Sequence, residues 1–296
     1  MSAVERTPGG ADGTDGTAST PVPRSAPGFW QRARRQPRFV FGLVVTLLVV
    51  AFAIIAPFLA PYGESETAGP PFSTDGLFGT DYLGQDVLSR LMFGGEAILL
   101  ISVLGTVLGM VLGVLIGVVA AYGGGWWDEV IMRLNDVTLA FPQILLALVV
   151  LTAVEQPTAL IIILLVGISH APRVARVSRG VALGIVSRDF VVAAEALGEK
   201  RTRVIVAEVL PNMSTPLLAE AGLRLTYSIG LVAALGFLGF SADPGAANWG
   251  QMIQENRLAL STQPWAVLAP VLVIAVFTIA TNLMADGLAQ LAQRGE

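Results

Sequence analysis

The sequence contains no cysteine, a single histidine, and only 14% charged side chains. Without cysteine there is no disulfide framework and no thiol chemistry. One histidine, His170, cannot build a metal cage, so no metal site is expected. No Gly-x-x-x-x-Gly-Lys phosphate loop and no catalytic triad occurs, which excludes ATP hydrolysis by this chain alone, and a non-catalytic chain that binds no cofactor of its own is expected. Soluble domains carry about 25% charged residues, so the charge deficit needs an environment other than water. The formal net charge of −4 says little about partners, since where the charges lie matters more than their sum, and no nucleic-acid partner is expected.

What fills the space is apolar. Hydrophobic residues make up 54% of the chain, with 32 glycines besides. They gather in six runs, at about residues 39–60, 98–122, 137–154, 158–177, 217–240 and 264–285. At 1.5 Å per helical residue each run approaches or exceeds the roughly 30 Å of a hydrocarbon core. The expectation is an all-α integral membrane protein with six transmembrane helices. If the N-terminus is cytoplasmic, fifteen arginines and lysines fall on inside segments; outside are Arg90 and Arg257, and Arg224 lies within the fifth span. That asymmetry predicts a multi-pass plasma-membrane protein with both termini in the cytoplasm. Residues 1–28 are rich in Gly, Thr, Ser, Pro and Ala, the composition of a disordered cytoplasmic tail. Residues 29–97 then hold the first span and an outside loop, and residues 98–296 a core of five spans interrupted by a loop at 178–215. The basic stretch Gln31 to Arg38 precedes an apolar run too long for a cleaved signal, so it is read as a retained first span.

That 178–215 loop carries a short helical pattern. Phe190, Val191, Ala194 and Leu197 recur at i, i+1, i+4 and i+7 and share one side of a helix. Ala193, Ala194 and Ala196 keep it slim, Gly198 suits its C-terminus, and Pro211 suits the first turn of the following helix. An apolar face on a loop asks for cover, either from another protein or from the chain's own bundle.

Elsewhere Gly105, Gly109, Gly113 and Gly117 bare one face of the second span for close helix packing. Glu220 and Arg224, four apart, are expected to pair and reach toward interfacial water. His170 is expected to make a structural hydrogen bond, and Asn135, Asp136, Asn282 and Asp286 to cap helices or meet headgroups.

The stretch Arg188 to Gly198 followed by Leu210-Pro211-Asn212 resembles the EAA loop of bacterial ABC-importer permeases. Three further stretches resemble the dipeptide, oligopeptide and nickel branch of that family: Phe78 to Arg90, Tyr122 to Pro142, and Gly236 to Met252 with Asn282 to Leu288. The resemblance covers residues 29 to 291. It implies the type I importer permease fold, with a cytoplasmic coupling helix on which Asp189, Phe190, Ala193, Ala194, Glu195, Leu197, Gly198, Leu210 and Pro211 meet an ATPase. It also implies four classes of partner: a homologous second permease, two ATPase subunits or domains holding ATP and Mg²⁺, an extracytoplasmic solute-binding protein, and membrane lipid. Asp81, Gln85, Asp86 and Arg90 are the candidate contacts for the binding protein, with local loop structure and helix capping as the other reading. The chain departs from the family pattern at Val192, Gln85, Glu195 and Gly245. The implied function is half of a translocation pathway for peptides. Nickel or haem cargo, or an ion-coupled secondary transporter, are the alternatives.

Overall fold

The computed structural model describes residues 33–243 and 245–293, so the expected tail at 1–28 lies outside it. Pro37 opens α1 (Pro37–Ile55), where a missing N–H costs nothing. Its inward residues Phe39, Gly42, Thr46, Val49 and Ala53 step by three and four along one face. An irregular segment leads to α2 (Val87–Phe93) and then the long α3 (Gly95–Gly123). Next come α4 (Gly125–Leu139) and α5 (Gln143–Thr152), followed by α6 (Ala159–Val186), which Thr158 caps. A short α7 (Asp189–Ala196) separates α6 from α8 (Arg201–Val204) and α9 (Leu210–Phe237). The described residues end with α10 (Trp249–Asn256) and α11 (Trp265–Gln293). Among the described residues β structure is limited to two isolated bridges, Thr67 with Gln85 and Thr80 with Asp86.

Among the described residues five helices are long and apolar enough to cross a membrane, or six if a bent pair counts as one. The bent pair corrects the expected third span. Its two arms, α4 and α5, meet at 75°, and the ten residues of α5 reach only about 15 Å. The break falls at Ala140-Phe141-Pro142, because proline cannot donate to the preceding turn and drives its neighbour out of the helical region.

Two other boundaries differ from expectation. The fourth helix runs on to Val186 rather than ending near Val177. The fifth span takes in α8, a π turn and α9 as one run from Arg201, so Pro211, in the first turn of α9 as expected, lies inside that run. A π turn at Ile205–Val209 lies just ahead of Pro211 and relaxes the ladder its ring would otherwise break. What reads as a 178–215 loop is therefore mostly helix.

The core is built by small residues as much as large ones. A side chain at Gly113 would place its Cβ 2.4 Å from Val174 Cβ, and one at Gly105 would meet Val166 at 2.6 Å. A Cβ at Gly109 would lie 2.9 Å from His170 and 3.0 Å from Gly167, and one at Gly117 2.5 Å from Ala175 and 2.8 Å from Arg179. The glycine stripe of α3 is thus a seam with α6 within this chain, where backbone approach replaces hydrophobic driving force. The opposite face of α3, through Val103, Val107, Val111, Leu115 and Val119, lies open at 44–57% exposure. An apolar stripe of that length fits lipid or another membrane subunit, not water.

Candidate functional site

The site is α7 and the helix ends that hold it. Ser187 and Arg188 break the chain out of α6, and Asp189 in the first turn favours the positive end of the new helix. At the other end the Gly198 N–H donates to the Glu195 carbonyl at 2.9 Å and the Glu199 N–H to the Ala194 carbonyl at 3.2 Å. This paired arrangement is a Schellman closure, and Gly198 takes the φ of +82° that it demands.

The structure divides the apolar residues of α7 into two sets. Val191 is fully buried and Ala194 partly so, both packed on a cluster formed by Val118, Ala182, Ile185, Val204, Val209 and Met213. Leu197 is 84% exposed, Val192 and Phe190 are also open, and Ala193 and Ala196 lie between them. The single-face grouping of Phe190, Val191, Ala194 and Leu197 is therefore corrected: the middle pair fastens the helix and the outer pair is displayed. Glu195 is engaged internally as well, accepting a hydrogen bond from the Tyr122 hydroxyl, with Arg201 5.9 Å above the Tyr122 ring. Leu210 packs on the same cluster and Pro211 is exposed. Beside α7 opens a cleft of about 330 Å³ lined by Gly180, Gly184, Arg188, Phe190, Asn212 and Pro216.

A displayed short helix between two long membrane helices can be compared with known proteins. Residues 113–294 match the family described as the binding-protein-dependent transport system inner membrane component, and residues 28–73 match the N-terminal TM domain of oligopeptide transport permease C. The chain belongs to the binding-protein-dependent transport permeases.

Relatives resemble this permease over nearly its whole length. The glutathione transport system permease protein GsiD of Shigella dysenteriae is 35% identical over 267 residues, 88% of this chain and 87% of that protein. The dipeptide transport system permease protein DppC of Alkalihalophilus pseudofirmus is 31% identical over 287 residues, 91% of this chain and 93% of that protein. Among solved structures, an inward-facing MetNI methionine ABC transporter matches with a TM-score of 0.53 at 17% identity, covering 67% of this chain and 96% of the matched chain. That likeness is one of fold alone, and it is the type I importer permease fold.

The candidate binding-protein contacts on and ahead of α2 are largely engaged within the chain. Arg90 is buried and donates to Asp81 at 2.6 Å and to Glu255 at 2.9 Å. The second Asp81 carboxylate oxygen accepts from the Leu83 and Gln85 N–H groups. Asp86 caps α2, accepting from both the backbone and the hydroxyl of Ser89. Asp81 and Arg90 are thus corrected from partner contacts to internal staples, because a buried charge must be paired where it lies. Asp86 is committed to its cap, while Gln85 stays half-buried at the rim. The Tyr82 N–H donates to Asn256 at 3.1 Å, and burial, with Glu255 second, raises the Tyr82 phenol above its usual pKa.

Inside the bundle, Glu220 and Arg224 do pair, at 2.7 Å, but with side chains only 11% and 9% exposed. They are held among the helices and do not reach for interfacial water, and Arg224 also sits 5.1 Å above the Tyr227 ring. His170 is completely buried and neither ring nitrogen has a hydrogen-bond partner among the described residues, contrary to the structural hydrogen bond expected of it. Asn135 is buried and donates to the Pro172 carbonyl at 2.9 Å, and Asp136 pairs with Arg176 at 2.6 Å, so neither acts as a helix cap. Sequence reading missed these partners. Arg176 and Arg179 look like ordinary inside charges until the fold brings α4 alongside α6.

Proposed function

We propose that the permease is the membrane subunit of an ATP-driven importer for peptides and forms half of its translocation pathway. The observation that carries this reading is the outward set on α7: Phe190, Val192, Ala193, Ala196 and Leu197 form a slim apolar surface on a helix rigidly closed by Gly198. Such a surface suits the groove of a separate ATPase, which would hold the ATP and Mg²⁺ that this chain does not. A homologous second permease completes the pathway, an extracytoplasmic binding protein delivers solute, and both termini lie in the cytoplasm with α7. The relatives named for glutathione and dipeptide transport favour peptide cargo over nickel or haem.

Closure of two ATPases on nucleotide draws the paired coupling helices together. Because Val191 and Ala194 root α7 in the cluster joining α3, α6 and α9, that displacement reaches all three long helices. The pathway opens to one side with nucleotide bound and to the other after hydrolysis. Nucleotide shifts the balance between the two conformations by its different affinity for them, and the free energy of its hydrolysis gives the cycle direction.

Reconstitution of the four-component complex in proteoliposomes tests the reading. ATP-dependent dipeptide uptake is expected from the intact complex. A Leu197→Asp variant should insert normally and lose about thirtyfold or more in ATPase affinity, the scale of an interface hot spot. Uptake at the original rate in this variant would refute the docking role.

A further inference from the structure

The broken third span is not left loose, because α6 holds it along one flank. Arg179 grips the Asp128 carboxylate with two nitrogens, each at 2.5 Å, in a partly buried pair. One step along, the buried Asn135 amide donates to the carbonyl of Pro172, and Arg176 meets Asp136 at 2.6 Å on the exposed side. Beyond the elbow, Gln143 at the start of α5 donates to the Ser169 hydroxyl at 2.7 Å and accepts from Arg173 at 3.3 Å. The rungs therefore fall on both sides of Phe141-Pro142, two helices tied at several levels to a third.

The α6 helix leads directly into the coupling helix, with only Ser187 and Arg188 between them. We propose that Arg179 with Asp128, together with Asn135 and Gln143, makes α6 and the bent α4–α5 segment one mechanical body, so that displacement of α7 carries the elbow with it. These are positioning residues for alternating access. The inference rests on the coupling role of α7. The two-nitrogen grip of Arg179 holds orientation as well as distance, which a lysine point charge would not do. The exposed Arg176 pair adds little, since a solvated ion pair is nearly neutral in free energy.

A charge exchange separates this role from mere folding. In the reconstituted complex, Asp128→Arg and Arg179→Asp alone should each lower uptake per ATP hydrolysed by about tenfold, within the usual range of a coupling free energy. The double exchange should restore at least half of the original ratio. Single variants with the original ratio, or a double variant no better than its parents, would overturn the proposal.

If the exchanges fail to fold, spin labels answer the same question. The native chain has no cysteine, so Leu134→Cys on α4 and Leu183→Cys on α6 can be labelled specifically. Their separation should hold within about 2 Å between nucleotide-free and ATP-bound complexes, the scale of a packed-helix shift. A change well beyond that would show that α4 and α6 move independently and would refute the single body. A wild-type complex with no ATP-driven uptake at all would instead count against the coupling role itself.

Discussion

The α7 region and the Arg90 region use charge and apolar surface in opposite ways. Around Arg90 the conspicuous residues, Asp81, Arg90 and Glu255, turn inward and staple the irregular segment ahead of α2 to α2 and α10. Around α7 the buried part is plain aliphatic, Val191 with Val204 and Val209, and the apolar side chain left most exposed is Leu197. Where a fold must hold a long irregular segment in place, buried ion pairs fix one arrangement. On the coupling role proposed for α7, small and apolar residues are the ones left out for another chain. Prominence in the sequence is thus a poor guide to which residues stay exposed.

Substitutions sharpen the contrast, taken here from the largest effect on stability to the smallest. Arg90→Ala leaves two buried carboxylates facing each other and should cost about 3–5 kcal/mol, seen as a fall in thermal unfolding midpoint in detergent. Gly113→Val forces α3 from α6 against a 2.4 Å approach and should cost about 1–3 kcal/mol or more by the same measurement. Asp86→Ala removes the α2 cap, a loss of about 1 kcal/mol, and would show the same uptake as wild type if the residue serves only the cap. Leu197→Asp should shift stability by no more than about 0.5 kcal/mol while abolishing ATP-linked uptake. A large stability loss from Leu197→Asp, or none from Arg90→Ala, would erase the distinction between the two regions.

Much of this architecture was legible in the sequence because the apolar runs and the helix signals are local. The α7 boundaries, its Gly198 closure and the tight α3 stripe follow from residues within a few positions of one another. The pairing of Arg90 with Glu255, 165 residues apart, has no local signature, and neither does that of Arg179 with Asp128. The 75° elbow was hidden by the continuous hydropathy of residues 137–154, although Pro142 marks the spot. Ala194 was misplaced for a related reason. Helical spacing groups residues by face, but only the surrounding helices decide which part of a face is covered, so Ala194→Asp would damage the internal cluster as well as any docking surface.

The most direct test of the central claim is photocrosslinking from single positions on α7 in the assembled complex, with the adducts identified by mass spectrometry. A photoreactive residue at Leu197 should capture the ATPase subunit, and one at Val191 should capture only this permease. Capture of the ATPase equally from both positions, or from neither in a complex that hydrolyses ATP and transports, would contradict the assignment of α7 as the coupling surface.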